Sequence, residues 1–494
     1  MAMDRAIRVL YLVSLAALSS LGACDVDESS SSDVRIATER WSAKDDPGKS
    51  PIELSTNLSA LPSEGTVARP PWPGYAWHTI YDSLNYAWAG AGTESPAAKY
   101  ARLFGIENLD DVISKLYGVA QSDTVARCSA TIGCRSEEEC SFHQGESDGY
   151  CIPIWWGLCH AWSVAAVLEP EPVQPVVLNG VTFEPNDIKG LLVLTYDRPE
   201  VVFVSQRCNG NNDFGGIRYD DFDRPESKCR DINPGAFHVF LANYVGLLNQ
   251  SFVTDVVFDE PVGSLSVYSY KVQQSRELSL DEARSMVGDV LSPDTRSTVH
   301  MNVSVSYVES TDAQVTGNLT ARLSEFIKTF DYSYVLELDR HGSIIGGEWE
   351  GESKTRHPDF IRLPQGPGSK PVAGGFVHYS KVKQLVDASA QGAQINLKTI
   401  HQQASVGPNE WKTFGPFNVA NGGHLEASVS SQKNVELFLY KGNAVSTQEY
   451  ACRRRFAQTS TPCFVAGPGP VWIKVLGRSF NAQFELSVLY GQQR

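Results

Sequence analysis

The chain has 494 residues, with 57 acidic against 42 basic side chains and a formal net charge of −15. Such a surface disfavours nucleic acid and anionic membrane as partners, and past the N-terminus no run approaches the roughly 18 apolar residues of a membrane helix. The length suits about two or three domains, and ten cysteines fit an oxidising compartment.

Arg5 and Arg8 precede an apolar run from Val9 to Leu21, short for a bilayer and typical of a signal peptide. Leu21-Gly22-Ala23-Cys24 resembles a bacterial lipobox, which implies loss of residues 1–23 and lipidation of Cys24. An ordinary signal peptide with a stray cysteine is the alternative. Residues 24–65, poor in aromatics and rich in Ser, Asp and Lys, read as a disordered linker. A packed region opens at Pro70-Pro71-Trp72-Pro73-Gly74-Tyr75-Ala76-Trp77. Ser95 as N-cap and Pro96 in the first turn then start a helix that carries Tyr100, Leu103 and Phe104.

Cys128, Cys134, Cys140 and Cys151 form a cysteine-rich insert, 128–151, whose spacing fits disulfides better than a zinc site and leaves three pairings open. Trp162, Ala165, Ala166 and Leu168 follow Cys159 at helical spacing. Later segments alternate with period two: Val299, Met301, Val303, Val305 and Tyr307 predict one strand, and Tyr332, Tyr334, Leu336 and Leu338 another. Residues 371–395 read as a linker, and 396–494 as a β-sandwich of short strands. The segment from Phe414 to Tyr490, with Cys452 and Cys463 and with Pro468-Gly469-Pro470 ahead of a strand, resembles the bacterial pre-peptidase C-terminal domain.

Cysteine parity singles out Cys159. Cys24 is set aside for lipid, and eight others (Cys128, Cys134, Cys140, Cys151, Cys208, Cys229, Cys452 and Cys463) can pair, so Cys159 in Trp155-Trp156-Gly157-Leu158-Cys159-His160-Ala161-Trp162 is left as a candidate nucleophile at a helix start. A buried structural cysteine is the bland alternative. The expected base is His238, in an apolar segment read as a strand, with Asp255 on the next strand to orient it. Neighbouring helical side chains diverge by about 100°, which argues against His160. Asn249, in the turn, is a weaker orienting residue, and His357-Pro358-Asp359 reads as a structural turn. Trp155, Trp156 and Trp162 are candidate substrate-binding residues, with core packing as the rival role.

Several ordered blocks resemble the transglutaminase elicitor family of oomycetes and bacteria: Ser95-Pro96-Ala97-Ala98-Lys99-Tyr100, Trp156 to Trp162, Asn186-Asp187-Ile188-Lys189-Gly190, Asp231 to His238, and Ile344 to Gly351 with His357-Pro358-Asp359-Phe360. Val257 to Tyr268 resembles the family's elicitor peptide, with Phe258 in place of Trp and Glu260 in place of Gln; the departures put plant perception in doubt. The resemblance implies an α+β fold with a papain-like core over 66–370. It also implies acyl transfer from protein glutamine to lysine through a Cys159 thioester, with His238 and Asp255 assisting. Expected partners are proteins with exposed Gln and Lys, with membrane contact through the Cys24 lipid alone and a location on the cell envelope; oligomeric state is left open. The chemistry itself needs no cofactor. Calcium dependence is a family property, and Asp213, Asp220, Asp221 and Asp223, beside Asn209 to Asn212, are candidate Ca²⁺ ligands; a polar loop closed by Cys208 and Cys229 is the rival reading. Two other functions compete: a papain-like protease or deamidase, and a catalytically silent adhesion or elicitor protein.

Overall fold

The computed structural model describes residues 41–493 apart from 122–124, 130–131, 144–145, 147, 206–230, 257–261, 289–290, 392–394, 421–423, 443–449, 457–462, 467 and 479–480. The stretch expected to be a linker up to residue 65 is packed from Trp41 onward. Trp41, Leu54, Leu58 and Leu61 lie against the core, the Leu58 N–H donates to Gly342 O at 3.1 Å, and β1 (Glu64–Thr66) joins a sheet. A few spaced apolar anchors are enough to order a segment whose composition is otherwise polar.

Helix α1 (Pro96–Phe104) begins as its sequence predicts, with Ser95 Oγ accepting from the Ala98 N–H, and ends on Gly105 at φ 63°. Next come α2 (Leu109–Tyr117) and a three-stranded sheet of β2 (Arg127–Cys128), β3 (Glu138–Ser141) and β4 (Gly149–Pro153) in the order β2-β4-β3. Cys128–Cys140 and Cys134–Cys151 staple it, which selects one of the three pairings and removes these sulfurs as metal ligands. Helix α3 (Cys159–Leu168) is buried along 161–166. A hairpin of β5 (Val176–Leu178) and β6 (Val181–Phe183) turns through Asn179 and Gly180 at φ 48° and 79°, the positive pair a two-residue hairpin favours. Helix α4 (Pro185–Thr195) is buried throughout and closed at its start by a Glu184–Asp187 capping box.

The remaining elements of this region are β7 (Glu200–Val204), α5 (Pro234–Leu241), β8 (Val253–Asp255), β9 (Ser264–Leu278), α6 (Leu280–Val287), β10 (Ser297–Val308), β11 (Ile327–Leu338), β12 (Ile344–Trp349) and β13 (Ile361–Gly366). They build an antiparallel sheet in the order β12-β11-β10-β9-β8-β13-β7, with β1 also on β9. The alternation read from sequence holds: Val299, Met301, Val303, Val305 and Tyr307 are all buried.

The expected strand around His238 is a helix. Its apolar run carries no clear period, and the local start signal decides: the Asn233 side chain accepts from the Gly235 N–H, and Pro234 occupies the first turn.

The sheet separates two cores. Along β9, Ser266 Oγ donates to Ser163 O of α3, whereas the next residue, Val267, belongs to the core that holds Phe237 and Phe240 of α5. Successive strand residues face opposite ways, so α3 and α5 cover opposite faces. With α3 lie Trp72, Trp77, Tyr100, Trp162, Ile188 and Leu192; with α5 lie Val303, Val305, Tyr332 and Trp349.

The second expected linker, 371–395, contains α7 (Tyr379–Gln391), whose Val382, Leu385, Val386 and Ala388 enter the first core at helical spacing. Beyond it β14 (Ile395–Val406), β15 (Trp411–Val419), β16 (His424–Ser431), β17 (Val435–Lys441), β18 (Cys452–Phe456), β19 (Cys463–Ala466), β20 (Gly469–Gly477) and β21 (Ala482–Gln493) form two four-stranded antiparallel sheets, β14-β21-β16-β19 and β15-β20-β17-β18. They share one apolar core, and the Cys452–Cys463 bond joins β18 of one sheet to β19 of the other. Among the described residues no helix is long and apolar enough to cross a membrane.

Candidate active site

The approach to Cys159 is held by backbone contacts. The Thr79 N–H donates to Trp156 O at 2.9 Å, and the Leu158 N–H to Ala76 O at 2.6 Å. Gly157 fits between them because a Cβ there would stand 2.9 Å from Ala76 O, closer than packed atoms allow. Helix α3 then starts at Cys159: the Ala161 and Trp162 N–H groups donate to Leu158 O, and those of Cys159 and His160 have no helical carbonyl ahead of them to reach. Cys159 is a free, half-buried thiol, and its Sγ donates to Val262 O at 3.6 Å.

The imidazole beside this sulfur is His160. Its Nε2 donates to Asp197 O at 3.1 Å and lies 3.4 Å from Asp197 Oδ1. Burial pulls its pKa down, but the hydrogen bond to Asp197 and the bond and charge of Cys159 outweigh that and push it up to about 9. The side chain is 31% exposed, so solvent reaches it. Asp197 follows the C-terminus of α4, with its N–H on Leu194 O. The divergence that argued against His160 applies within a helix. At the first turn both side chains lean toward the N-terminus, into the same space ahead of α3. No sequence motif marks Asp197.

Asp255 is fully buried on β8. It pairs with Ser264, two positions from the Val253–Ser266 pair that faces α3, so it lies on the Cys159 side of the sheet. Its Oδ1 accepts from the Gly263 N–H at 2.7 Å, next to the Val262 carbonyl that meets the thiol. The described end of the elicitor-like segment, from Val262, therefore runs past Cys159, anchored by Asp255; residues 257–261 lie outside the described residues.

His238 lies on the other side. It is buried in α5, its Nδ1 is hydrogen-bonded to Tyr334 Oη at 2.8 Å, and burial lowers its pKa to about 4. The sheet stands between it and α3, so the structure does not bring His238 to Cys159 or to Asp255. His357 is buried on the α5 side as well, bonded to Asp231 Oδ2 at 2.9 Å and stacked on Trp349. Asp359 O accepts from the Ile232 N–H, which makes this turn structural. Asn249 Nδ2 donates to Thr66 O.

Trp155 and Trp156 meet edge to face, half-buried, ahead of Cys159. Trp162 is 1% exposed and donates to Trp72 O, so it belongs to the interior. Cys24, Cys208, Cys229 and the candidate Ca²⁺ ligands Asp213, Asp220, Asp221 and Asp223 lie outside the described residues.

Residues 50–392 match the family described as Transglutaminase elicitor. The chain is similar to the GP42 transglutaminase of Phytophthora sojae, known from a crystal structure, at 33% identity and TM-score 0.61, covering 72% of this chain and 100% of that one. Two further structures match short portions at TM-score 0.17 and 12% identity. One is of disulfide-linked pili of Bacillus endospore appendages (20% of this chain, 91% of that) and the other of the lysozyme inhibitor PliG of Aeromonas hydrophila (19% and 85%). No curated protein matches the sequence.

Proposed function

The chain belongs to the transglutaminase elicitor family, and on that footing we propose that it is a protein-glutamine γ-glutamyltransferase with Cys159 as nucleophile. The observation that carries this is the grouping of a free thiol at a helix start with His160, itself held by Asp197. Cys159 sulfur attacks the γ-carboxamide carbon of a substrate glutamine. The oxyanion is held by the Cys159 N–H and the neighbouring His160 N–H at the start of α3. His160, its Nε2 engaged by Asp197, gives a proton to the departing ammonia, and a thioester remains. A lysine amine attacks the thioester carbon, His160 takes the amine proton, and the isopeptide bond forms as the sulfur leaves. Trp155 and Trp156 flank the thioester and disfavour water as acceptor. Asp255 positions the Val262-Gly263 backbone against the sulfur.

In this reading the central region is papain-like in its helix-borne cysteine packed on an antiparallel sheet. Residues 396–494 are an appended β-sandwich of the pre-peptidase type. The three disulfides among the described residues fit an exported protein, and Cys24 is the proposed lipid anchor. A Ca²⁺-binding role for Asp213, Asp220, Asp221 and Asp223 stands on residue type alone.

Incubation of the protein with a glutamine-rich protein and a fluorescent primary amine tests the reading. Covalent labelling is expected, abolished by Cys159→Ser and lowered about 10²–10⁴-fold by His160→Ala. Substrate cleavage or deamidation without labelling would make water the acceptor. No thiol-dependent reaction would leave adhesion or perception as the function.

A further inference from the structure

A cavity of about 430 Å³ opens beside the segment that leads to Cys159. Its wall is contiguous with that segment: Thr79 is bonded to Trp156 O, and the His78 Cα stands 3.2 Å from where a Gly157 Cβ would be. Three tyrosines shape it. Tyr81 and Tyr86 stack with ring centroids 5.0 Å apart, and Tyr75 sits tilted 6.2 Å from Tyr86. Tyr75 is 8% exposed and its Oη lacks a hydrogen bond of normal geometry, whereas Tyr81 is 45% exposed at the mouth. Asp312 is the one lining residue with a formal charge. Among the described residues no cation pairs with its exposed carboxylate, whose field reaches Tyr75 and His78. Burial keeps His78 below its ordinary range, so it adds no positive charge at neutral pH. The loop that bears Asp312 is pinned, with the Thr311 N–H on Gly74 O and Asn186 Nδ2 on the Ala313 and Val315 carbonyls.

Aromatic faces with a carboxylate at the rim attract organic cations, and the volume suits a small ligand. We propose that this cavity binds an alkylammonium group of the amine substrate other than the one that reacts. The proposal rests on the acyl-transfer reading. Cys159 does not line the cavity, so the ammonium held there is a second cation: the distal end of a diamine, or a lysine adjacent to the acceptor lysine. The enzyme accordingly favours diamines and lysine-rich segments as acceptors.

The test is calorimetric, on full-length Cys159→Ala protein titrated with cadaverine and with a peptide carrying two adjacent lysines. Both are expected to bind, at least tenfold more weakly after Asp312→Asn or Tyr81→Ala, with melting curves checking that each variant is folded. The same peptide acetylated on both lysines is expected not to bind. Tighter binding of the peptide assigns the cavity to protein lysine, and tighter binding of cadaverine to free polyamine. Unchanged affinity in Asp312→Asn, or equal binding of the acetylated peptide, overturns the proposal. This readout needs no turnover, so the two failures separate: labelling lost with binding retained overturns the transferase reading and the acceptor role with it, whereas binding lost with labelling retained overturns the cavity alone.

Discussion

At the scale of single residues, the proposed mechanism makes His160 the group that sets the working pH range. It must be protonated to serve the leaving ammonia, and its pKa near 9 keeps it so at neutral pH. We expect kcat/KM for amine incorporation to fall on the alkaline side with a midpoint near 9, and Asp197→Asn to move that midpoint down toward the ordinary histidine range near 6.5. A pH–rate profile of the two proteins checks this, and an unmoved midpoint would count against Asp197 as the orienting group. The sign for stability agrees: the raised folded pKa contributes stability below about 6.5 that is lost as pH rises through about 9. Cys159 was legible in the sequence because parity isolates a thiol. That His160 would lie beside the sulfur was not foreseen, because a rule for helix interiors argued against it. Asp197 was not legible, since nothing local relates the residue after one helix to the start of another.

At the scale of elements, the turn into α3 fixes where the sulfur sits. Gly157→Ala sets a Cβ 2.9 Å from a backbone oxygen, and a backbone cannot step aside as a flexible side chain does. The expected cost is about 1–3 kcal/mol, read as a lower urea midpoint, with amine incorporation falling by more than the unfolded fraction explains. Parent-like stability and activity would show that this turn has slack. Elements with explicit start signals or clean periodicity were legible: Ser95-Pro96 for α1, and alternation for β10 and β11. Helix α5 was misread because aromatic and β-branched residues fill it, although Asn233-Pro234 gave a start signal. Both expected linkers failed for one reason: segments 41–65 and 379–391 are polar in composition yet carry a few apolar side chains at the right spacing to dock.

At the scale of the molecule, two buried histidines, His238 and His357, each have a folded pKa of about 4. The unfolded chain takes up their protons near 6.5, so it binds more protons than the folded chain between those values. Stability is therefore full above about pH 6.5 and is lost as pH falls through 4, by at most roughly 3 kcal/mol for each group. His238→Phe keeps a ring in place and removes one of the two titrations. Tm measured from pH 7 to 4 should fall less steeply in the variant than in the parent, and equal slopes would mean that other groups govern acid unfolding. That most cysteines would pair was legible from their number, and which pairs form in the insert became readable once its strands were set beside one another.

The sheet between α3 and α5 also acts as a thermodynamic partition. Cys159 meets Val262 and His160 while His238 meets Tyr334, with no side-chain partner in common among the described residues, so their stability effects should simply add. A double-mutant cycle of Cys159→Ser with His238→Phe is expected to close within about 0.5 kcal/mol. In catalysis the contrast runs the other way: Cys159→Ser combined with His160→Ala should cost scarcely more than either alone, as for groups that act as a unit. One fold thus carries two independently mutable halves, and drift in the α5 core can proceed without taxing the thiol across the sheet.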